Sequence, residues 1–249
     1  MKRLPLLCII ALFLTAVQAT WGQTVELARW NFVNASGDWG QSPNDPDVSN
    51  ANVTVTGLTR GSGVTTAATA AQHAWGGNGF NDGLATSDQN ATTAVANGNF
   101  ITFTVKANAG YSISLAQIAA CNLRRSGTGP GATLWQYSLD GTAFTDIIQY
   151  NLALTTTSGN AIGATNLSTI TALQNVPSTT TITFRVVLWG ASADNGTWYF
   201  NAGPSNQSLI FNGTVTSTPL PLDLLSFKGK QINGINRLNW VTAREKYVS

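Results

Sequence analysis

Between Phe100 and Val105, apolar and hydroxyl side chains alternate one for one, and the pattern returns between Thr180 and Trp189. Ile101, Phe103 and Val105 fall on one side of the first segment, with Thr102 and Thr104 on the other. Ile182, Phe184, Val186 and Leu188 line one side of the second. Period two is the mark of a strand with one buried face; on a helix the same pattern would scatter its apolar residues around the circumference. A chain with several such segments folds by laying sheet faces against one another. Phe100 falls on the Thr side, which predicts a strand start that is bulged or covered on both faces.

Further segments carry strand signals and are separated by clusters of Gly, Asn, Asp and Ser, the punctuation of a sandwich or barrel. Strands are predicted at Val25–Val33, Val53–Leu58, Tyr111–Ile118, Gly196–Phe200 and Ser208–Val215. Leu134–Leu139 and Ala143–Ile148 flank Asp140-Gly141, a pair that signals a hairpin. Segments 35–50 and 61–93 are rich in Gly, Asn, Ala and Asp and show little periodicity. They read as long loops, as compatible with recognition as with filler.

Only 10% of the 249 residues are charged, against about 25% in an average domain. Thr, Asn, Ser and Gly solvate the surface instead, and the abundance of Thr, Val, Ile and aromatics favours strands. The chain therefore reads as all-β. Its N-terminus places Lys2 and Arg3 before an apolar run, Leu4 to Leu14, that is shorter than the roughly 20 residues of a membrane-spanning helix. This is the layout of a secretory signal peptide, cleaved after Ala19 with Val17 and Ala19 at the small-residue positions. A lipoprotein reading through Cys8 fails on bulky Leu7 and the short apolar stretch upstream. The expected location is secreted or on the cell surface, with no membrane span once the leader is gone. Two of the 13 Lys and Arg residues lie in that leader, so the remaining 11 balance 11 Asp and Glu. Nothing in this charge pattern suggests a nucleic-acid partner. Cys121 is left alone, which excludes an intrachain disulfide, and its apolar neighbours Ile118, Ala119 and Ala120 make it a buried thiol rather than an intermolecular contact.

Composition breaks at Pro219 and Pro221. The expected organisation is a signal peptide at 1–19, a sandwich at 20–216, a Pro-containing linker at 217–223 and the start of a second β module at 224–249, with strands at Leu224–Gly229 and Ile235–Val241. A lone hairpin is marginal in water. Either the chain continues a module that was cut short or frameshifted, or these strands pack on the first domain.

The text from Pro219 through Leu220, Pro221, Leu222, Asp223, Leu224, Leu225, Ser226 and Phe227 to Lys230, followed by Arg237 to Ala243, resembles a junction recurrent in secreted Bacteroidetes surface proteins, including those exported by the type IX system. In that group the junction leads into an immunoglobulin-like or fibronectin-like module and then a sorting domain. The preceding region resembles their jelly-roll repeats in the stretches Ala28–Phe32, Gly110–Ser114, Tyr137–Phe144 and Thr183–Val186. Similar folds in discoidin and carbohydrate-binding modules bind glycans through loops, so the resemblance implies a jelly-roll-like sandwich and a polysaccharide or surface-glycan partner.

Catalytic machinery is not evident. His73 is the only histidine and has no nucleophile elbow beside it; Glu26 is the only Glu before the linker, and no Asp is marked as an acid or nucleophile. The chain is expected not to be an enzyme. Asp45 and Asp47, with Asn44 and Asn50, offer oxygen ligands of the kind a structural calcium takes, although Asx and Pro turns explain the same residues. Trp39 and Trp75 fall in Gly-rich loops, where exposed rings would stack on sugar faces and buried ones would plug the end of the sandwich. Trp30, Trp135, Trp189 and Trp198 belong to strand contexts and the core. Arg124 and Arg125 read as a solvated turn. The function expected is adhesion or carbohydrate binding through Trp39 and Trp75; the alternatives are a ligand-free spacer or an accessory domain severed from a hydrolase.

Overall fold

The computed structural model describes residues 23–33, 37–153, 155–156, 158–202, 209–218 and 224–242. The expected signal peptide and most of the Pro-containing linker lie outside them. The fold is all-β: β1 (Val25–Trp30), β2 (Val48–Ser49), β3 (Val53–Val55), β4 (Thr59–Arg60), β5 (Ala74–Gly77), β6 (Phe100–Ala107), β7 (Tyr111–Ile118), β8 (Cys121–Arg125) and β9 (Ala132–Ser138) come first. They are followed by β10 (Thr145–Asn151), β11 (Asn160–Ile162), β12 (Thr165–Asn166), β13 (Val176–Pro177), β14 (Ile182–Trp189), β15 (Trp198–Asn201), β16 (Leu209–Ser217), β17 (Leu224–Ile232) and β18 (Ile235–Thr242); among the described residues the helical pieces are the short helix α1 (Ala91–Ala96) and a 3-10 turn at Thr171–Leu173.

Two antiparallel sheets form a jelly-roll-like sandwich. One runs β12-β7-β16-β1-β2 with β13 beside β7; the other runs β10-β9-β14-β6-β3 with β4 beside β6. A third sheet, β11-β8-β15-β5, shares their core. Aromatic side chains from the sheets interlock there. Phe103 and Phe184 of the second sheet stack at 5.2 Å, and Phe211 of the first meets both edge-on or tilted at 5.1 and 5.0 Å. Trp135 contacts Phe211 and, at 6.1 Å, Phe200 of the third sheet. Offset and edge-on contacts of this kind add to the apolar area the rings bury.

The alternation read from the sequence holds. Ile101, Phe103 and Val105 of β6 and Ile182, Phe184, Val186 and Leu188 of β14 all point into this core. The outer start of β6 is also covered: Ala91 and Val95 of α1 pack with Phe100, Leu134, Val187 and Trp189 in a second apolar layer. Asn90 starts the helix by accepting from Thr92 and Thr93 N–H, while Thr93 Oγ1 accepts from Asn90 N–H. The hairpin around Asp140-Gly141 pairs β9 with β10. Its turn is longer than two residues and is organised by Asp140, whose Oδ1 accepts from Thr142 and Ala143 N–H at 2.8 Å.

Segment 61–93 is not a featureless loop. It contains β5, buried along its whole length, and the first turn of α1 lies at its end. Its Gly76-Gly77 pair disguised the strand, yet glycine is a packing requirement there: a Cβ on Gly76 would sit 2.1 Å from the Trp198 carbonyl oxygen of β15. Segment 35–50 is likewise tied down where it is described. Asn44 and Leu58 exchange backbone hydrogen bonds at 2.9 and 2.8 Å, and Asp47 N–H donates to the Arg29 carbonyl at 2.8 Å. β16 runs to Ser217, and Thr218 N–H donates to the Gly110 carbonyl, so the sheet reaches just past the expected boundary at 216. Among the described residues β17 and β18 pair only with each other, and they leave Phe227, Ile235, Leu238 and Val241 exposed. Among the described residues no helix is long and apolar enough to cross a membrane.

Candidate functional site

The two loop tryptophans are anchors. Trp39 is 4% exposed and Trp75 1%, which corrects the expectation of open rings for a ligand. Their indole N–H groups are spent internally, Trp39 on the Ala68 carbonyl at 2.6 Å and Trp75 on the Gln41 carbonyl at 2.9 Å. Arg60 locks the arrangement. Its guanidinium lies over the Trp75 ring and donates to the carbonyls of Gly76, Gly40 and Trp39. Burial pulls this guanidinium down to about 10, with Asp38 opposing the shift, so it stays protonated at neutral pH.

Asp45 and Asp47 are exposed, and Asp47 Oδ2 accepts from Asn31 N–H at 2.7 Å. Among the described residues no three His, Cys, Asp or Glu side chains group so that they could hold a metal ion. His73 sits at a positive φ of 54°, its Nδ1 3.3 Å from the Phe32 carbonyl oxygen. Arg124 and Arg125 are loop clamps rather than a solvated turn. Arg124 donates to Thr156 O and Tyr199 Oη; Arg125 donates to the carbonyls of Leu152, Ser126 and Gly129. Cys121 is buried, and desolvation pushes its thiol up to about 12, which leaves almost no reactive thiolate at neutral pH.

What the structure assembles instead is a groove of about 270 Å3 on the outer face of the second sheet. Strand register builds it. Reading across the strands, Asp146 of β10 stands opposite Gln136 of β9, Gln136 opposite Arg185 of β14, Arg185 opposite Thr102 of β6, and Thr102 opposite Thr59 of β4. Thr183 and Thr104 face each other in the next row. The turn after β9 brings Phe144 over this surface, with the Arg185 guanidinium carbon 3.6 Å from its ring centroid and 5.8 Å from that of Phe100.

The guanidinium is held as well as stacked. Its Nε–H donates to Gln136 Oε1 at 2.9 Å, and Gln136 Nε2–H donates in turn to Asp146 Oδ1 at 2.7 Å. Burial lowers the Arg185 pKa and Asp146 opposes it. The Thr102 and Thr183 hydroxyls make no hydrogen bond to a described residue. The groove thus offers two aromatic rings in its lining, hydroxyls without a partner among the described residues, and a fixed cation. Its volume is just under the roughly 300–1,000 Å3 of pockets for drug-sized ligands, which suits a single ring.

No family model, curated protein or solved structure matches the chain. The groove must therefore be read from its own chemistry. Phe144 and Arg185 were both visible in the sequence, but neither had a local signal. Arg185 interrupts the apolar side of no strand, and Phe144 stands beside a turn, so only the pairing of β9, β14 and β6 reveals that they meet.

Proposed function

We propose that the sandwich is a non-catalytic binding module, exported to the cell surface or beyond, and that it holds a saccharide in the groove on the outer face of its second sheet. The observation that carries this reading is the stack of Arg185 on Phe144 with the Thr102 and Thr183 hydroxyls beside it. Sugar rings present apolar C–H faces together with hydroxyl donors and acceptors. A ring edge or face, two hydroxyls and a guanidinium supply partners for both. The site proposed here replaces the one expected at Trp39 and Trp75, whose rings are already packed. Export is supported by the leader-like N-terminus and by the resemblance of the junction near Pro219 to those of secreted Bacteroidetes proteins.

Retention of the purified chain in gels cast with a panel of neutral and acidic polysaccharides tests the reading. At least one polymer should retard the protein, and Phe144→Ala should weaken that retention about tenfold. Retardation by none of them sinks the proposal in favour of a spacer without a ligand.

A further inference from the structure

Resting on the saccharide reading above, we infer that the ligand is an acidic saccharide whose uronate carboxylate docks on the terminal amino groups of Arg185. A guanidinium carries five N–H donors in a planar fork. One of them, on Nε, is committed to Gln136 Oε1. Nη1 and Nη2 make no hydrogen bond and no ion pair with a described residue. Phe144 against its face and Gln136 at its edge fix the plane of the fork, and Asp146 fixes Gln136 in turn. A carboxylate, planar and with two acceptor oxygens, matches the two terminal nitrogens and their four remaining N–H groups better than single hydroxyls do.

Charge argues the same way. Among the described residues lining the groove, Arg185 is the only charged one. The nearest carboxylate in its row, Asp146, stands two strands away with Gln136 between them, at the end opposite Thr102. The groove therefore presents a half-buried cation that lacks a direct anionic partner, and a bound carboxylate supplies one. Thr102 stands opposite Arg185 and Thr183 two residues along β14 on the same face, which leaves both hydroxyls beside the cation for a sugar's ring hydroxyls.

The test is calorimetric titration of the full chain with a galacturonate oligosaccharide, its methyl ester, and a sulfated galactan oligosaccharide of similar length. The free acid should bind about tenfold or more tightly than the ester, and added salt should narrow the gap. Arg185→Gln should abolish the preference for acid, Arg185→Lys should keep part of it, and Phe144→Ala should weaken acid and ester alike. Circular dichroism and melting of each variant report whether it folds; should Arg185→Gln not fold, the comparison of acid with ester on the unaltered chain and on Arg185→Lys decides. Equal affinity for acid and ester that still depends on Phe144 overturns the carboxylate and leaves the saccharide site standing. A preference for acid that survives Arg185→Gln overturns the role of Arg185. Tighter binding of the sulfated oligosaccharide overturns the uronate in favour of a sulfate ester, and binding of none of the three overturns the inference together with the reading it rests on.

Discussion

The guanidinium carbon of Arg60 lies 4.4 Å from the centroid of the Trp75 ring while its nitrogens reach the carbonyls of Gly76 and Trp39 at 2.6 Å and of Gly40 at 3.2 Å. One side chain thereby joins the 37–43 turn, β4 and β5. Two further arginines serve as backbone clamps: Arg124 and Arg125 close other loops in the same manner.

Replacing Arg60 by Met keeps the apolar stem over Trp75 and leaves three carbonyls without their donor. The expected cost is about 2–4 kcal/mol, read as a lower urea midpoint with unchanged slope. Arg60→Lys should recover less than half of the loss, because an ammonium cannot span the same three oxygens. A loss below about 0.5 kcal/mol would contradict the clamp.

Phe211 touches Trp30, Phe103, Trp135 and Phe184, rings from both main sheets. Phe211→Ala should be among the most damaging core substitutions, costing about 3–5 kcal/mol. Phe227→Ala, on an exposed position of the β17–β18 hairpin, should cost within about 0.5 kcal/mol. Urea unfolding of the two variants side by side checks the contrast.

The buried Cys121 thiol predicts a dependence on alkaline pH. Above the ordinary thiol value of 9.0 the unfolded chain binds fewer protons than the folded one, whose thiol holds its proton to about 12. Stability should therefore fall as pH rises between these values, by up to about 1.4 kcal/mol per unit from this group. Half-buried Tyr150 and buried Tyr199 are shifted upward as well and add to the fall, so the part due to Cys121 is the difference from Cys121→Ala. A variant with the same alkaline slope as the parent would remove the thiol from the account. The native thiol should also resist disulfide-exchange reagents at pH 8.

Asp140 predicts an effect at the acid end. Hydrogen bonds from Thr142 and Ala143 N–H, with Ser138 Oγ, hold its carboxyl far below the usual carboxylate range. The ionised form thus stabilises the turn above the unfolded value near 3.8, and that contribution disappears as pH falls through the lower folded value. Asp140→Asn should melt lower than the parent at neutral pH, and the difference should shrink steadily in acid. A constant difference across that range would exclude the carboxylate as its source.

Much of the strand content was legible because alternation is a property of one segment at a time. Tyr111–Ile118 appears with the predicted ends, β14 and β6 bury the predicted faces, and the β9–β10 hairpin forms where Asp140-Gly141 announced it. β5 and β8 were not foreseen. The first is half glycine, and the second follows β7 after only Ala119 and Ala120, so neither carries a pattern of its own. The helix α1, six residues of Ala, Thr and Val, is too short to show a helical period.

The candidate site was hidden for a different reason. Local sequence determined that this chain makes sheets with one apolar face, because side-chain direction along a strand follows from backbone geometry alone. Tertiary structure decided which tryptophans remain accessible, since Arg60 covers the Trp75 ring while Ala70, Ala74 and Tyr199 enclose that of Trp39, rings that composition had placed in loops. It also decided that residues 102, 144 and 185 share one groove. Which side chains become neighbours across a sheet depends on strand order and register, and both are set by pairing between segments far apart in the chain.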